Sequence, residues 1–326
     1  PQIVQWAIGF YMFGYAIGQL VLGFLSDAIG RRPIVLPCGF LYVLASLGAA
    51  WAPNVGILIA CRALQGLFIA GPAVALRAVP ADSATGHERA KMLTTMTTSW
   101  ALGPVLGPFI GSYFEHYLGW RSNFYFLAGF SLVNSVFAWL MLKETLQAKV
   151  PFTLQVISKN IKIIGMHRPF ILMVLVASTV YSSLVIFNGV GPFLIQTDLH
   201  YSVITYGRVA LLLGSAYFVG NLLVRFLIKR VPAMQFARIA AIATVVFASI
   251  LLGIHLIWPM SLYSIVLPCT LLFFSCGVLF PSIMSQVSGF FPHMAGAVSA
   301  MYGSLICLGV VVSSIFVSTL PMGTVI

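Results

Sequence analysis

The chain has 326 residues, of which 60% are hydrophobic and 7% charged, and a formal net charge of +11 at pH 7. About a quarter of a soluble globular domain is charged, so this composition excludes one and implies an integral membrane protein. The positive charge does not point to nucleic acid. Of 17 Lys and Arg residues, 14 fall in four segments between or beside apolar runs: Arg31 and Arg32; Arg77, Arg89 and Lys91; Lys143, Lys149, Lys159, Lys162 and Arg168; Arg225, Lys229, Arg230 and Arg238. That clustering is the positive-inside pattern of cytoplasmic loops.

The apolar runs predict ten spans, at about 3–25, 34–51, 55–78, 92–114, 122–142, 170–194, 204–228, 237–257, 262–286 and 293–318. Each is long enough, at 1.5 Å per residue, to cross roughly 30 Å of hydrocarbon. With the loop at 26–33 cytoplasmic, an even count puts Pro1 and Ile326 both outside, and one further helix is expected beyond each end. Cys38, Cys61, Cys269, Cys276 and Cys307 all lie in apolar runs at no metal-ligand spacing, the place of small buried hydrophobes. No HExxH, GxSxG or paired intramembrane carboxylate occurs. No enzyme activity, metal or cofactor is therefore expected.

In the first span Tyr11, Tyr15 and Gln19 recur every four residues and share one helical face. This polar stripe either lines a cavity or bonds to a neighbouring helix. Gly14 and Gly18 form a small-xxx-small pair that admits close helix approach. The first strongly polar break follows, Gly23-Phe24-Leu25-Ser26-Asp27-Ala28-Ile29-Gly30-Arg31-Arg32-Pro33. The arginines anchor it on the cytoplasmic side. Gly23, Asp27, Gly30, Arg31 and Arg32 together resemble the signature loop between the second and third helices of the major facilitator superfamily.

The third span holds Arg62, Gln65 and Gly66. An arginine there either snorkels to the interface or faces a wet cavity. The three residues resemble a second superfamily motif, on the fourth family helix, to which proton handling is attributed. Residues 79–91 read as a polar loop with a solvated His87. In the fourth span Gly103, Gly107 and Gly111 repeat every four residues, exposing backbone for a partner helix, and Pro104 and Pro108 each remove a backbone donor. This double Gly-Pro resembles the antiporter motif on the fifth helix of drug/proton antiporters. Gly119-Trp120-Arg121 and Lys143-Glu144-Thr145-Leu146 resemble the ends of the sixth helix in the bicyclomycin-resistance-like branch of those antiporters.

Residues 148–169 form the longest polar interval, in which Leu154, Ile157, Ile161 and Ile164 share one face of an amphipathic surface helix. Beyond it, Tyr181 and Asn188 lie seven apart on one face, before a Gly189-Val190-Gly191-Pro192-Phe193 segment able to unwind the helix end. Gly220-Asn221 to Lys229-Arg230 reads as a degenerate repeat of the first loop, with Val224 in the place of Asp27. Phe280-Pro281 and the 292–300 stretch again resemble the bicyclomycin-resistance-like branch. Arg77-Ala78 departs from it, an acid often following that arginine in the branch.

The resemblance covers nearly the whole chain and implies an all-α major facilitator fold of two pseudo-symmetric six-helix bundles. In this sequence they correspond to 1–147 and 170–326, joined by the cytoplasmic linker 148–169. It implies a monomeric secondary transporter in a bacterial-type inner membrane, exporting a small-molecule substrate such as a drug, siderophore or metabolite in exchange for protons. The partners are thus substrate, protons and lipid, with no nucleic acid. An uptake carrier or facilitator of the same fold is the alternative, and a transport-inactive scaffold the next.

Under this reading Gly23, Asp27, Gly30, Arg31 and Arg32 form a conformational latch, Asp27 docking on the helix N-terminus at 292–295. Arg62, Gln65 and Gly66 handle protons, and Tyr11, Tyr15, Gln19, Tyr181 and Asn188 line the substrate cavity. All six acids, Asp27, Asp82, Glu88, Glu115, Glu144 and Asp198, lie in loops or at span ends. The proton-coupling carboxylate is therefore expected on a preceding first helix.

Overall fold

A computed structural model describes residues 2–84, 86–146, 153–227, 233–257, 260–291 and 295–319. Their secondary structure is helical, without strands. The helices are α1 (Gln2–Ile29), α2 (Arg32–Ala50), α3 (Val55–Ser83), α4 (Gly86–Leu118), α5 (Arg121–Met141), α6 (Leu154–Gly165), α7 (Arg168–Phe193), α8 (Val203–Leu227), α9 (Ala233–Ile257), α10 (Leu262–Phe290) and α11 (Ala295–Thr319). A single π turn, Leu194–Asp198, continues α7 past Pro192. Among the described residues nine helices carry a window long and apolar enough to span a membrane. The tenth long helix, α4, has 33 residues, with a polar first turn.

Local chemistry sets the helix starts. The Asn54 side chain caps α3 by accepting from Ile57 N at 2.9 Å. A reciprocal pair, Ser261 and Ser264, opens α10. His167 Nδ1 accepts from Phe170 N at 3.3 Å to start α7, with Pro169 in the first turn. One expectation changes here. The polar loop predicted at 79–91 is largely helical, since α3 runs to Ser83 and α4 begins at Gly86. Pro80 does not stop α3, because its carbonyl still accepts from Ala84 N at 3.3 Å.

Side chains without bulk decide how the helices associate. A Cβ on Gly14 would overlap the Ala63 carbonyl, and one on Gly66 the Tyr11 carbonyl, so α1 and α3 touch backbone to backbone. The same device recurs between α8 and α10, where a Cβ on Gly277 would overlap the Tyr217 carbonyl and one on Gly220 the Phe274 carbonyl. Tyr11 and Gly14 thus correspond to Tyr217 and Gly220, and Gly66 to Gly277. This register corrects the predicted repeat. Gly220 matches Gly14 rather than Gly23, so Val224 stands opposite Gly18 rather than Asp27.

Helices α2, α3 and α5 assemble beside α1, and α7, α9 and α10 beside α8 and α11; α1 runs along α11 and α4 along α8. Gly23 sits in the first of these seams, a Cβ there lying 3.1 Å from Val74 Cγ1 and 3.3 Å from Ala300 Cβ. Along α6, Ile164 is fully buried against the larger core, whereas Ile161 stays exposed. That helix therefore docks by its C-terminal end.

A bulky residue at a backbone contact cannot be relieved by rotamer change. Gly66→Leu is expected to lower the midpoint of thermal unfolding in detergent, at a cost of about 1–3 kcal/mol or more. Gly129→Ala, where a Cβ meets nothing within 4 Å, is expected to leave the midpoint unchanged or slightly raised.

Candidate functional site

Two polar constellations interrupt the apolar interior. The first lies at the α1–α2 turn and centres on Arg31, which is 5% exposed. Gly30, with φ +123°, makes the reversal between α1 and α2, a conformation in which other residues are strained. The turn drives the Arg31 side chain inward. Its Nε donates to Asp82 Oδ2 at 2.8 Å, and its Nη1 to Asp27 Oδ1 at 2.5 Å and Ser26 Oγ at 2.8 Å. Asp82, from the last turn of α3, was read from sequence only as a loop residue.

Glu144, just beyond α5, completes the cluster. Its Oε1 accepts from Arg31 N at 3.0 Å and its Oε2 from Arg32 N at 3.1 Å, so a carboxylate caps the positive end of α2. Thr145 N and Leu146 N both donate to Oε1 at 2.9 Å. Partial burial pushes the Glu144 carboxyl upward, but the four backbone donors override this and hold it below the ordinary glutamate value. A Cβ on Gly30 would lie 2.5 Å from Glu144 Oε2, a second reason for glycine there. Arg32 Nη2 reaches the Trp139 carbonyl at 3.0 Å. The loop thereby ties α1, α2, α3 and α5 together, and its partners Asp82 and Glu144 lie too far away in sequence to be found from spacing. The proposed dock for Asp27 includes residues 292–294, which lie outside the described residues.

The second constellation runs through the interior along α3. Arg62 Nη1 donates to Gln65 Oε1 at 3.0 Å, and its guanidinium lies 4.2 Å from the Tyr11 ring centroid. Gln65, fully buried, donates through Nε2 to Ser46 Oγ at 2.7 Å, and Ser46 to the Tyr42 carbonyl at 2.8 Å. Arg62 therefore does not snorkel to the interface; it turns toward α1. Nearer the cytoplasm, Arg77 Nη2 donates to Gln19 Oε1 at 2.5 Å and Nε to the Ala73 carbonyl at 2.9 Å, with Trp100 under its plane at 5.2 Å.

Gln19 Nε2 in turn points to Cys307 Sγ at 3.8 Å on α11. The stripe bonds to neighbouring helices at this end. Tyr11 and Tyr15 stack at 6.4 Å and share a small cluster with Tyr181 and Cys307. Asn188 stands apart from it, donating to the Leu184 carbonyl at 2.9 Å and accepting from Tyr206 Oη at 3.4 Å. On α4, a Cβ on Gly103 or Gly107 meets nothing within 4 Å, while one on Gly111 would lie 3.3 Å from Asn123 Oδ1. Pro108 is half-buried, and the Pro104 side chain lies outside the described residues. No partner helix covers the first two glycines among the described residues.

The model of the Major Facilitator Superfamily matches residues 1–314. The chain belongs to that superfamily. It is 26% identical to a chloramphenicol resistance protein of Pseudomonas aeruginosa over 98% of this chain and 76% of that protein. To multidrug resistance protein D of Escherichia coli it is 26% identical, over 94% and 77%. A bicyclomycin resistance protein homolog of Haemophilus influenzae is 27% identical over 59% of this chain and 48% of its own length. The resistance-protein resemblance read from the motifs is met by these relatives.

In fold, this superfamily member matches the human organic anion transporter MFSD10 (TM-score 0.72, 19% identity, 97% of this chain and 77% of that one). It also matches a D-xylose-proton symporter (0.74, 16%, 97% and 80%). Its loop network is thus a charged clasp in a multi-pass membrane transporter fold.

Glu144→Gln removes the negative charge and one of the two oxygens that together accept from four N–H groups. Because the folded carboxyl is held low, its stabilisation is complete above the unfolded-chain value of about 4.3 and is lost as pH falls through the lowered folded value. Thermal melts of wild type and Glu144→Gln are expected to differ at pH 7 and to converge under acid conditions. Asp27→Asn removes a charge-assisted bond worth about 1.5–3 kcal/mol. It is expected to slow transport about tenfold with little change in substrate affinity, as read from initial rates against concentration in proteoliposomes.

Proposed function

We propose that the chain is a monomeric, proton-coupled exporter of small organic molecules, working by alternating access in a bacterial-type inner membrane. Residues 1–147 and 170–326 act as the two rocking bundles and 148–169 as their cytoplasmic linker. The observation that carries this reading is the likeness to drug-resistance proteins over almost the whole chain.

The geometry supports it. Helix α1 carries the Asp27 clasp at one end and the seam with α11 along its length, where Ser304 Oγ donates to the Ala16 carbonyl at 2.9 Å and Gln19 reaches Cys307. Relative movement of the bundles breaks those few bonds without unfolding either helix. In this reading Gly23, Asp27, Gly30, Arg31 and Arg32 act as the conformational latch, braced within the first bundle by Asp82 and Glu144. Arg62, Gln65 and Gly66 relay the proton-linked change to α1, and Gly103, Pro104, Gly107, Pro108 and Gly111 give α4 a surface for a moving neighbour. Tyr11, Tyr15, Gln19 and Tyr181 face the substrate path, while Asn188, expected with them, bonds Tyr206 apart from that group.

Cells expressing the protein are expected to accumulate less chloramphenicol than control cells, and a protonophore is expected to abolish the difference. Export that survives collapse of the proton gradient would remove proton coupling. Faster accumulation than in control cells would reverse the direction of transport.

A further inference from the structure

The membrane interior of this protein holds cations without anions. Arg62 and Arg77 lie within the α3 span, and no carboxylate lies within ion-pair distance of either among the described residues, whereas Arg31 at the surface has two. A guanidinium taken out of water is ordinarily paired with an acid. Arg62 is engaged by Gln65 and the Tyr11 ring. Arg77 is incompletely satisfied. Its Nε and Nη2 each have one neutral acceptor, and its Nη1 has no partner among the described residues. The outer edge of a planar fork is thus left available for a two-point contact with a carboxylate or similar oxyanion.

A second, independent observation points to the same place. Tyr302, on α11, is 3% exposed and its hydroxyl has no hydrogen-bond partner among the described residues. Gln19 stands between the two helices, bonded to Arg77 and pressed against Gly303, where a Cβ would overlap its Oε1. A buried hydroxyl without an acceptor carries a cost that an incoming anion would remove. The walls are aromatic: Trp100 under the guanidinium, and Phe280 against both Tyr302 and Tyr181.

We propose that Arg77 and Tyr302, positioned by Gln19, form a subsite for the anionic group of an aromatic organic acid. This rests on the transporter reading above and deepens it by naming a substrate class. Its donors come from α3 and α11, so an anion held there bridges the two bundles.

The test uses the complete protein in nanodiscs of zwitterionic lipid, with radiolabelled 2-naphthoate and its uncharged analogue 2-naphthamide. Wild type is expected to bind naphthoate at least about tenfold more tightly than the amide, the size of one charge-assisted bond. Arg77→Gln is expected to erase that preference and Arg77→Lys to keep part of it. Tyr302→Phe is expected to weaken naphthoate about threefold or more and leave the amide unchanged. Thermal melts identify variants that fail to fold, and Arg77→Lys and Tyr302→Phe then carry the comparison.

Equal affinity for the two probes in wild type, absence of saturable naphthoate binding, or a preference that survives Arg77→Gln would overturn the proposal. Proteoliposome flux separates it from the reading beneath it. Anion-selective binding without flux supports the subsite and refutes export, while chloramphenicol flux without anion preference refutes the subsite and leaves export standing.

Discussion

A hydrocarbon interior offers no hydrogen-bond partner, and this constraint governs the protein. Every backbone group inside it must be satisfied within its own segment, which leaves helices as the building material. Five hydroxyls in the spans obey the same rule. Thr179, Thr244, Thr270, Ser282 and Ser313 each donate to the carbonyl four residues earlier, at 2.7–3.0 Å. Nor does the hydrophobic effect bring such helices together, since lipid tails are as apolar as leucine. Contact area must come from close approach. Gly14 and Gly66 supply it for α1 and α3, and Gly220 and Gly277 for α8 and α10, which gives the two halves the same internal geometry.

The same constraint sorts the charges. All six carboxylates sit in loops or at span ends, and three of them, Asp27, Asp82 and Glu144, converge on the α1–α2 turn. There Arg31 stays buried because two carboxylates and a hydroxyl meet its donors, and Glu144 meets the amides at the start of α2. A clasp made of charge-assisted bonds at a wet surface is strong when closed and separable when water enters. Loops that must open and close need that combination.

Inside, the solution is different. Arg62 and Arg77 are held by amides, carbonyls and ring faces rather than by acids, so the path along α3 remains positive. Gln19 joins this path to α11, and Gly23, one turn further on, lies between α3 and α11. Helix α1 thus connects the surface clasp, the interior cations and the seam between the halves.

Composition and periodicity alone determined that the chain spans a membrane and where nearly all its helices run, because span length is set by the bilayer and acts locally. The glycines of α1 and the Arg31 turn were legible for the same reason: a sharp reversal or a close backbone approach requires particular residues at particular spacings. What decided the rest is distance in three dimensions. Asp82 and Glu144 reach Arg31 from 51 and 113 residues away, Gln19 meets Cys307 from 288, and the true register of the second half appears only when Gly220 is seen against the Phe274 carbonyl. Asn188, placed with Tyr181 by helical spacing, faces Tyr206 instead. A helix face fixes direction, but which neighbour occupies that direction is chosen by the packing of the whole bundle.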